Sequence, residues 1–130
     1  KKTQLPSEAV ICKAKEALPA IIKKEGGIRG NHSAVYFDLS AKLIACREDV
    51  GRHSAFDKLL GCLCKNNKNM PEGFALLTSR CSHDLIAKAA RLSLTTLVTL
   101  AQPTDLAVMS ARKTGLTLFC FHQGQLKRFS

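Results

Sequence analysis

The chain has 130 residues, 45% of them hydrophobic, and a formal charge of +10 from 20 Lys and Arg against 10 Asp and Glu. That length and apolar content suit one globular domain with a single core and exclude a disordered tail. No run reaches the roughly 18 apolar residues of a membrane-spanning helix, and the opening "KKTQLPSEAV" has no continuous apolar signal segment, so a cytoplasmic protein with no membrane association is expected.

Ser7 is placed to cap a first helix whose apolar residues Val10, Ile11, Ala14, Leu18, Ile21 and Ile22 recur at helical spacing, with Pro19 expected to kink or divide it. "KEGGIRGN" then reads as a glycine-rich basic loop. "SAVYFDL" and "LIACRE" are strand-like and joined by a polar turn at 40–42, a hairpin. From His53 the spacing changes to Phe56, Leu59, Leu60 and Leu63, one stripe of a helix, and "KNNKNM" reads as a polar loop. "FALLTS" is a short buried strand, and Ser82 is positioned to cap a helix bearing Leu85, Ile86, Ala89 and Ala90. After the strand "TTLVTL", Pro103 and Thr104 open a helix through Leu106, Ala107, Met109 and Ala111, which Gly115 ends before a last strand, "LTLFCFH". This alternation predicts an α/β fold with a largely buried sheet, opened by one antiparallel hairpin. The division expected is a helical segment and linker over 1–28 and an α/β domain over 29–130, within one globular unit.

Six cysteines, Cys12, Cys46, Cys62, Cys64, Cys81 and Cys120, sit mostly in apolar stretches without regular spacing, and are expected to be mainly buried free thiols in a reducing compartment. Cys62 and Cys64, two apart on a helix, point away from each other and are not expected to chelate one metal. In open α/β sheets ligands gather where strands end and helices begin. Three polar clusters fall there: Arg47 to His53, Thr78 to His83, and Gln102 to Asp105. Each is readable as helix capping or ion pairing, and together they form a candidate pocket of His32, Arg47, Glu48, Asp49, Arg52, His53, Ser79, Arg80 and Thr104. In that reading guanidinium groups take phosphate or a carbonyl edge while a carboxylate takes a ring N–H.

Several chemistries are excluded. A zinc deaminase needs H-x-E with P-C-x-x-C, whereas His32 precedes Ser33-Ala34, His53 precedes Ser54-Ala55, and P-C-x-x-C is absent. Neither a P-loop nor a dinucleotide fingerprint occurs. One Tyr, no Trp and no basic-aromatic motif argue against a nucleic-acid-binding domain.

The run "CREDVGRHSAFDKLLG", from Cys46 to Gly61, closely resembles the signature of the formate dehydrogenase accessory protein family, FdhD or NarQ. The resemblance continues through "GNHSAVYF", "LLTSRCSHDLIAKAA" and "QPTDLAVMSARKTGLTLFCF", covering roughly Arg29 to Phe121. It implies a three-layer sandwich with a mixed sheet, similar to cytidine deaminases without their zinc site. It also implies a sulfurtransferase that takes sulfur from a cysteine desulfurase and passes it to the molybdenum cofactor of formate dehydrogenase. The ligand implied is molybdenum bis(molybdopterin guanine dinucleotide), for which a guanine nucleotide is a mimic, and the assembly implied is a homodimer. By the same resemblance the cofactor-binding segment falls on Phe121, His122, Gln123, Gly124, Gln125 and Leu126, after the last core strand. The family's sulfur-carrying cysteine lies in an upstream C-x-x-C loop, and this chain has no C-x-x-C, so the chain is expected to be the cofactor-binding part of a longer protein, with no catalytic residue among its own six cysteines. A non-catalytic module that only chaperones the cofactor is the alternative. Ser54 stands where the family usually has Asn, and Ile28-Arg29 where it has Thr-Gly.

Overall fold

The computed structural model describes residues 5–24, 32–65, 72–79, 81–92 and 94–130, apart from the side chains of residues 52 and 53. In chain order the elements are α1 (Glu8–Lys24), β1 (His32–Asp38), β2 (Leu43–Asp49), α2 (Arg52–Lys65), β3 (Gly73–Leu77), α3 (His83–Arg91), β4 (Thr96–Thr99), α4 (Asp105–Thr114), β5 (Thr117–His122) and β6 (Gln125–Arg128). The strands form one sheet in the order β2-β1-β3-β4-β5-β6. β1 is antiparallel to both β2 and β3, β3 to β5 are mutually parallel, and β6 returns antiparallel beside β5.

Each of the connections through α2, α3 and α4 joins parallel strands and steps in the same direction across the sheet. Crossovers of this kind are right-handed, so all three helices are driven to one face. There Phe56, Leu59, Leu85, Ile86, Ala107 and Ala111 pack on Ala75, Leu77, Leu97 and Leu118. The other face is covered by α1, whose Ile11, Ala14 and Leu18 meet Val35, Phe37, Phe74, Leu76, Val98, Phe119 and Phe121. Alternate residues of each central strand therefore serve opposite layers, and β3 is buried along its whole length. The result is a three-layer sandwich with a mixed sheet, as expected.

Ser7 does accept a hydrogen bond from the Val10 amide, at 3.2 Å. Pro19, expected to kink or divide the helix, instead lies inside a continuous α1. Leu18 before it, and Ile21 and Ile22 after it, pack against the same sheet face and carry the helix across the lost hydrogen bond. α1 is thus a full layer of the core. On α4 the apolar residues divide: Ala107 and Ala111 are buried while Leu106 and Met109 are exposed.

The β1/β2 turn is organised by Asp38, whose Oδ1 accepts from the Ser40 and Lys42 amides at 2.8 and 2.9 Å. Gly73 is required where β3 meets β1, since a Cβ there would lie 1.9 Å from the Phe37 carbonyl oxygen. The sixth strand was not expected. Phe121 and His122 belong to β5, Gln123 and Gly124 form a two-residue turn with φ of 51° and 78°, and Gln125 and Leu126 begin β6. Two consecutive positive φ values match the primed turn that suits the twist of a hairpin. The segment expected to follow the last core strand is instead the end of β5 and its hairpin into β6.

Candidate functional site

The strand directions put the described sequence-derived candidates, Arg47 apart, near one edge of the sandwich. The carboxyl ends of β2, β3, β4 and β5 and the amino ends of β1 and β6 share a single rim. His32 opens β1 opposite Asp49, which closes β2. Arg52 and His53 begin α2. Ser79 follows β3 and is buried. Thr104 precedes α4, and Phe121 to Leu126 form the β5/β6 hairpin. Arg80 lies outside the described residues, as do the glycine-rich loop and most of "KNNKNM".

All four histidines of the chain fall on this rim: His32, His53, His83 at the start of α3, and His122 at the end of β5. Imidazoles offer donors and acceptors suited to phosphate and base edges. His83, which ends the second polar cluster, was not among the candidate pocket residues; its Nε2 lies 3.0 Å from Asp84 Oδ1.

The three strand-to-helix junctions on the rim are built differently. At the first, Asp49 Oδ1 accepts from the Gly51 amide at 3.1 Å and Oδ2 pairs with Lys58 Nζ at 2.8 Å. The Lys58 hydrogen bond, helped by the Gly51 amide, holds the Asp49 carboxyl below its usual range. Lys58 also donates to the Glu48 carbonyl at 3.2 Å. At the third, Thr104 Oγ1 accepts from the Ala107 amide at 3.1 Å, a normal cap. At the second, Ser82 occupies the cap position of α3 without making the cap bond, and its buried Oγ has no partner among the described residues. The expected Ser82 cap is therefore absent.

Below the junctions the rim is stitched together. Ser33 donates its amide to Thr78 Oγ1 at 2.9 Å, and Thr78 returns its own amide to the Ser33 carbonyl at 3.1 Å, extending the β1/β3 pairing past the end of β3. The Thr99 hydroxyl and the Cys120 thiol both donate to the Ala101 carbonyl, at 2.8 and 3.2 Å. Burial pushes the Cys120 thiol up, against smaller opposing effects of Thr99 and Lys127. On the α1 face Lys15 Nζ stands 5.0 Å from the ring centre of Phe121, tying that helix to the β5 end of the rim.

Arg47 is the candidate that the fold directs elsewhere. Its Nη1 donates to the Cys46 carbonyl at 2.6 Å and its Nη2 to Cys62 Sγ at 3.2 Å, so the guanidinium lies over α2. The cysteines correct a second expectation: Cys46, Cys81 and Cys120 are buried, but Cys12 and Cys62 are half-buried and Cys64 is exposed. Burial was overestimated because the α2 stripe of Phe56, Leu59 and Leu60 turns Cys64 outward. Among the described residues no group of three or more His, Cys, Asp or Glu is arranged to hold a metal, and no helix is long and apolar enough to cross a membrane.

Fold and rim together define a three-layer α/β/α domain with a mixed sheet and an open polar edge. The structure of a formate dehydrogenase accessory protein, described as putative, from Desulfotalea psychrophila superposes with a TM-score of 0.81 at 24% identity, covering 99% of this chain and 57% of that one. A mutant of the NE0047 protein, solved with 8-azaguanine, superposes with a TM-score of 0.57 at 16% identity, covering 87% of this chain and 76% of that one. In sequence, the sulfur carrier protein FdhD of Burkholderia mallei is 38% identical over 114 residues, 85% of this chain and 40% of the relative. That of Acinetobacter baylyi is 42% identical over 92 residues, 71% of this chain and 33% of the relative. The FdhD/NarQ family model matches residues 3–129, and the chain belongs to that family. It spans about 40% of the length of the first of these relatives.

Proposed function

We propose that this chain is the ligand-binding domain of a sulfur carrier that serves formate dehydrogenase, and that its rim holds molybdenum bis(molybdopterin guanine dinucleotide) as substrate. The observation that carries the reading is the convergence on one rim of the described candidates other than Arg47, together with the backbone positions of all four histidines. The second junction fits a phosphate there. An α3 amino terminus without a side-chain cap leaves N–H groups unbonded, and the orphaned Ser82 hydroxyl beside them supplies a further donor. The charge of +10 favours a ligand bearing pyrophosphates.

In the whole protein, a cysteine desulfurase supplies sulfur as a persulfide, and a C-x-x-C cysteine passes it to the molybdenum centre. This chain's part is to hold and orient the dinucleotide so that the metal end meets the carrier thiol. The free cysteines suit a reducing compartment such as the cytoplasm, and a homodimer is the assembly proposed. A second reading, a chaperone that binds the cofactor without carrying sulfur, is favoured by one observation. Cys81 and Cys120, near the rim, are buried, while exposed Cys64 lies toward the far end of α2.

Calorimetric titration with GDP and, in parallel, ADP tests the pocket. Selective binding of GDP that weakens about tenfold in Ser82→Ala supports the site. Equal binding of both nucleotides, or binding that vanishes at moderate salt, removes it.

A further inference from the structure

A groove of about 430 Å³ runs between α2 and α3, lined by the middle and carboxyl half of α2 and the last turn of α3, toward the end of the helices away from the rim. Its floor is apolar, formed by buried Leu60 and by Leu92, which is 48% exposed. Cys64 stands on one wall and Arg91 on the other. Lys88 bridges the seam to Asp57 at 2.9 Å and so neutralises the acidic group lining the groove. Arg91, which lines the groove from the last turn of α3, and Lys65, which follows the lining residue Cys64 in the last turn of α2, have no ion-pair partner among the described residues. The groove therefore presents apolar surface under unopposed positive charge.

Gly61 supplies an independent observation. It lies in the interior of α2, where glycine costs about 1 kcal/mol relative to alanine, and a Cβ built on it meets nothing within 4 Å. Nothing described in the chain's own packing requires the missing side chain. A glycine that faces open space inside a binding-sized groove is accounted for by close approach of something from outside.

We infer that this groove docks an acidic amphipathic helix of a partner protein. The two parallel walls, α2 and α3, receive the helix as a third member. Its apolar side chains sit over Gly61, Leu60 and Leu92, and its carboxylates reach Arg91 and Lys65. A second copy pairing groove to groove fits poorly, because Arg91 and Lys65 would meet their own counterparts there. The inference is independent of what the rim binds.

The test uses the purified chain and a dye-labelled helical peptide of alternating Glu and Leu pairs, with a control peptide bearing Lys for each Glu. Expected are saturable binding of the acidic peptide alone, seen by fluorescence anisotropy at physiological salt, and slower alkylation of Cys64 by iodoacetamide when it is bound. Gly61→Leu fills the groove without changing charge. It should lower affinity about tenfold, with a helical content equal to or above that of the parent and unchanged GDP titration. Arg91→Glu should lower affinity comparably. Unchanged affinity in Gly61→Leu, or equal binding of the two peptides, overturns the inference. So does a free chain that sediments as a dimer with Cys64 already protected, which would make a second copy the occupant.

Discussion

Two neighbouring helices, α3 and α4, leave the same rim after adjacent parallel strands, yet their amino termini are finished in opposite ways. Thr104 closes α4 with its own hydroxyl, 3.1 Å from the Ala107 amide. Ser82 stands at the same point of α3, makes no such bond and keeps its Oγ buried without a partner among the described residues. A residue type that caps well and is not used for capping costs stability that the fold had within reach. The difference separates a junction closed by its own side chain from one that is not, and the second is where the proposed phosphate site falls.

The largest expected effect falls on the strand pairing that carries the sheet, away from either junction, and sets the scale for the other two. Gly73→Ala forces a Cβ onto the Phe37 carbonyl, disturbs the β1/β3 pairing at the end of the sheet opposite the rim and should cost about 3 kcal/mol in urea unfolding. Ser82→Ala should lower GDP affinity about tenfold, near 1.4 kcal/mol, while leaving unfolding free energy within about 0.5 kcal/mol of the parent. A loss of stability with unchanged affinity would make Ser82 another cap. Thr104→Ala should do the reverse, costing about 1 kcal/mol of stability with no effect on the nucleotide isotherm. The smallest effect belongs to the first junction. Because Lys58 and the Gly51 amide hold the Asp49 carboxyl low, its stabilisation is present above the unfolded value near pH 4 and lost as the pH falls through the lowered folded value. Acid unfolding followed by circular dichroism should show a shallower dependence in Asp49→Asn.

The sequence made the core legible because its periods are clean. Phe56, Leu59 and Leu60 announce the buried side of α2, and the unbroken "FALL" announces a strand covered on both faces. The rim was legible as three polar clusters placed after strands. What each residue does there was less so, because Ser82 and Thr104 are equivalent by type, and only the fold distinguishes the one that bonds its helix from the one that does not. β6 escaped notice because Gln125, Lys127 and Arg128 are all exposed, so an edge strand of four residues carries no alternation to read. Pro19 misled for a local reason: the rule against proline in a helix is set by one hydrogen bond, and three residues packed on the sheet outweigh it. Gly61 gave no signal, since a lone glycine in a helix is uninformative until its surroundings are known.

The basic side chains along β2 have a consequence for how the chain behaves in a crowded solution. Ser33 turns its amide and carbonyl toward Thr78, so its partner Glu48, and with it Cys46, turn theirs away from the sheet. Those two outward carbonyls are occupied, one by Arg47 and the other by Lys58. A free strand edge is the usual template on which foreign strands pair and aggregates grow. Here the longer of the two edges has been taken out of use by the charged "CREDVGRH" run and the helix that follows it, leaving for sheet extension, among the described strands, the four residues of β6 that end in Lys127 and Arg128.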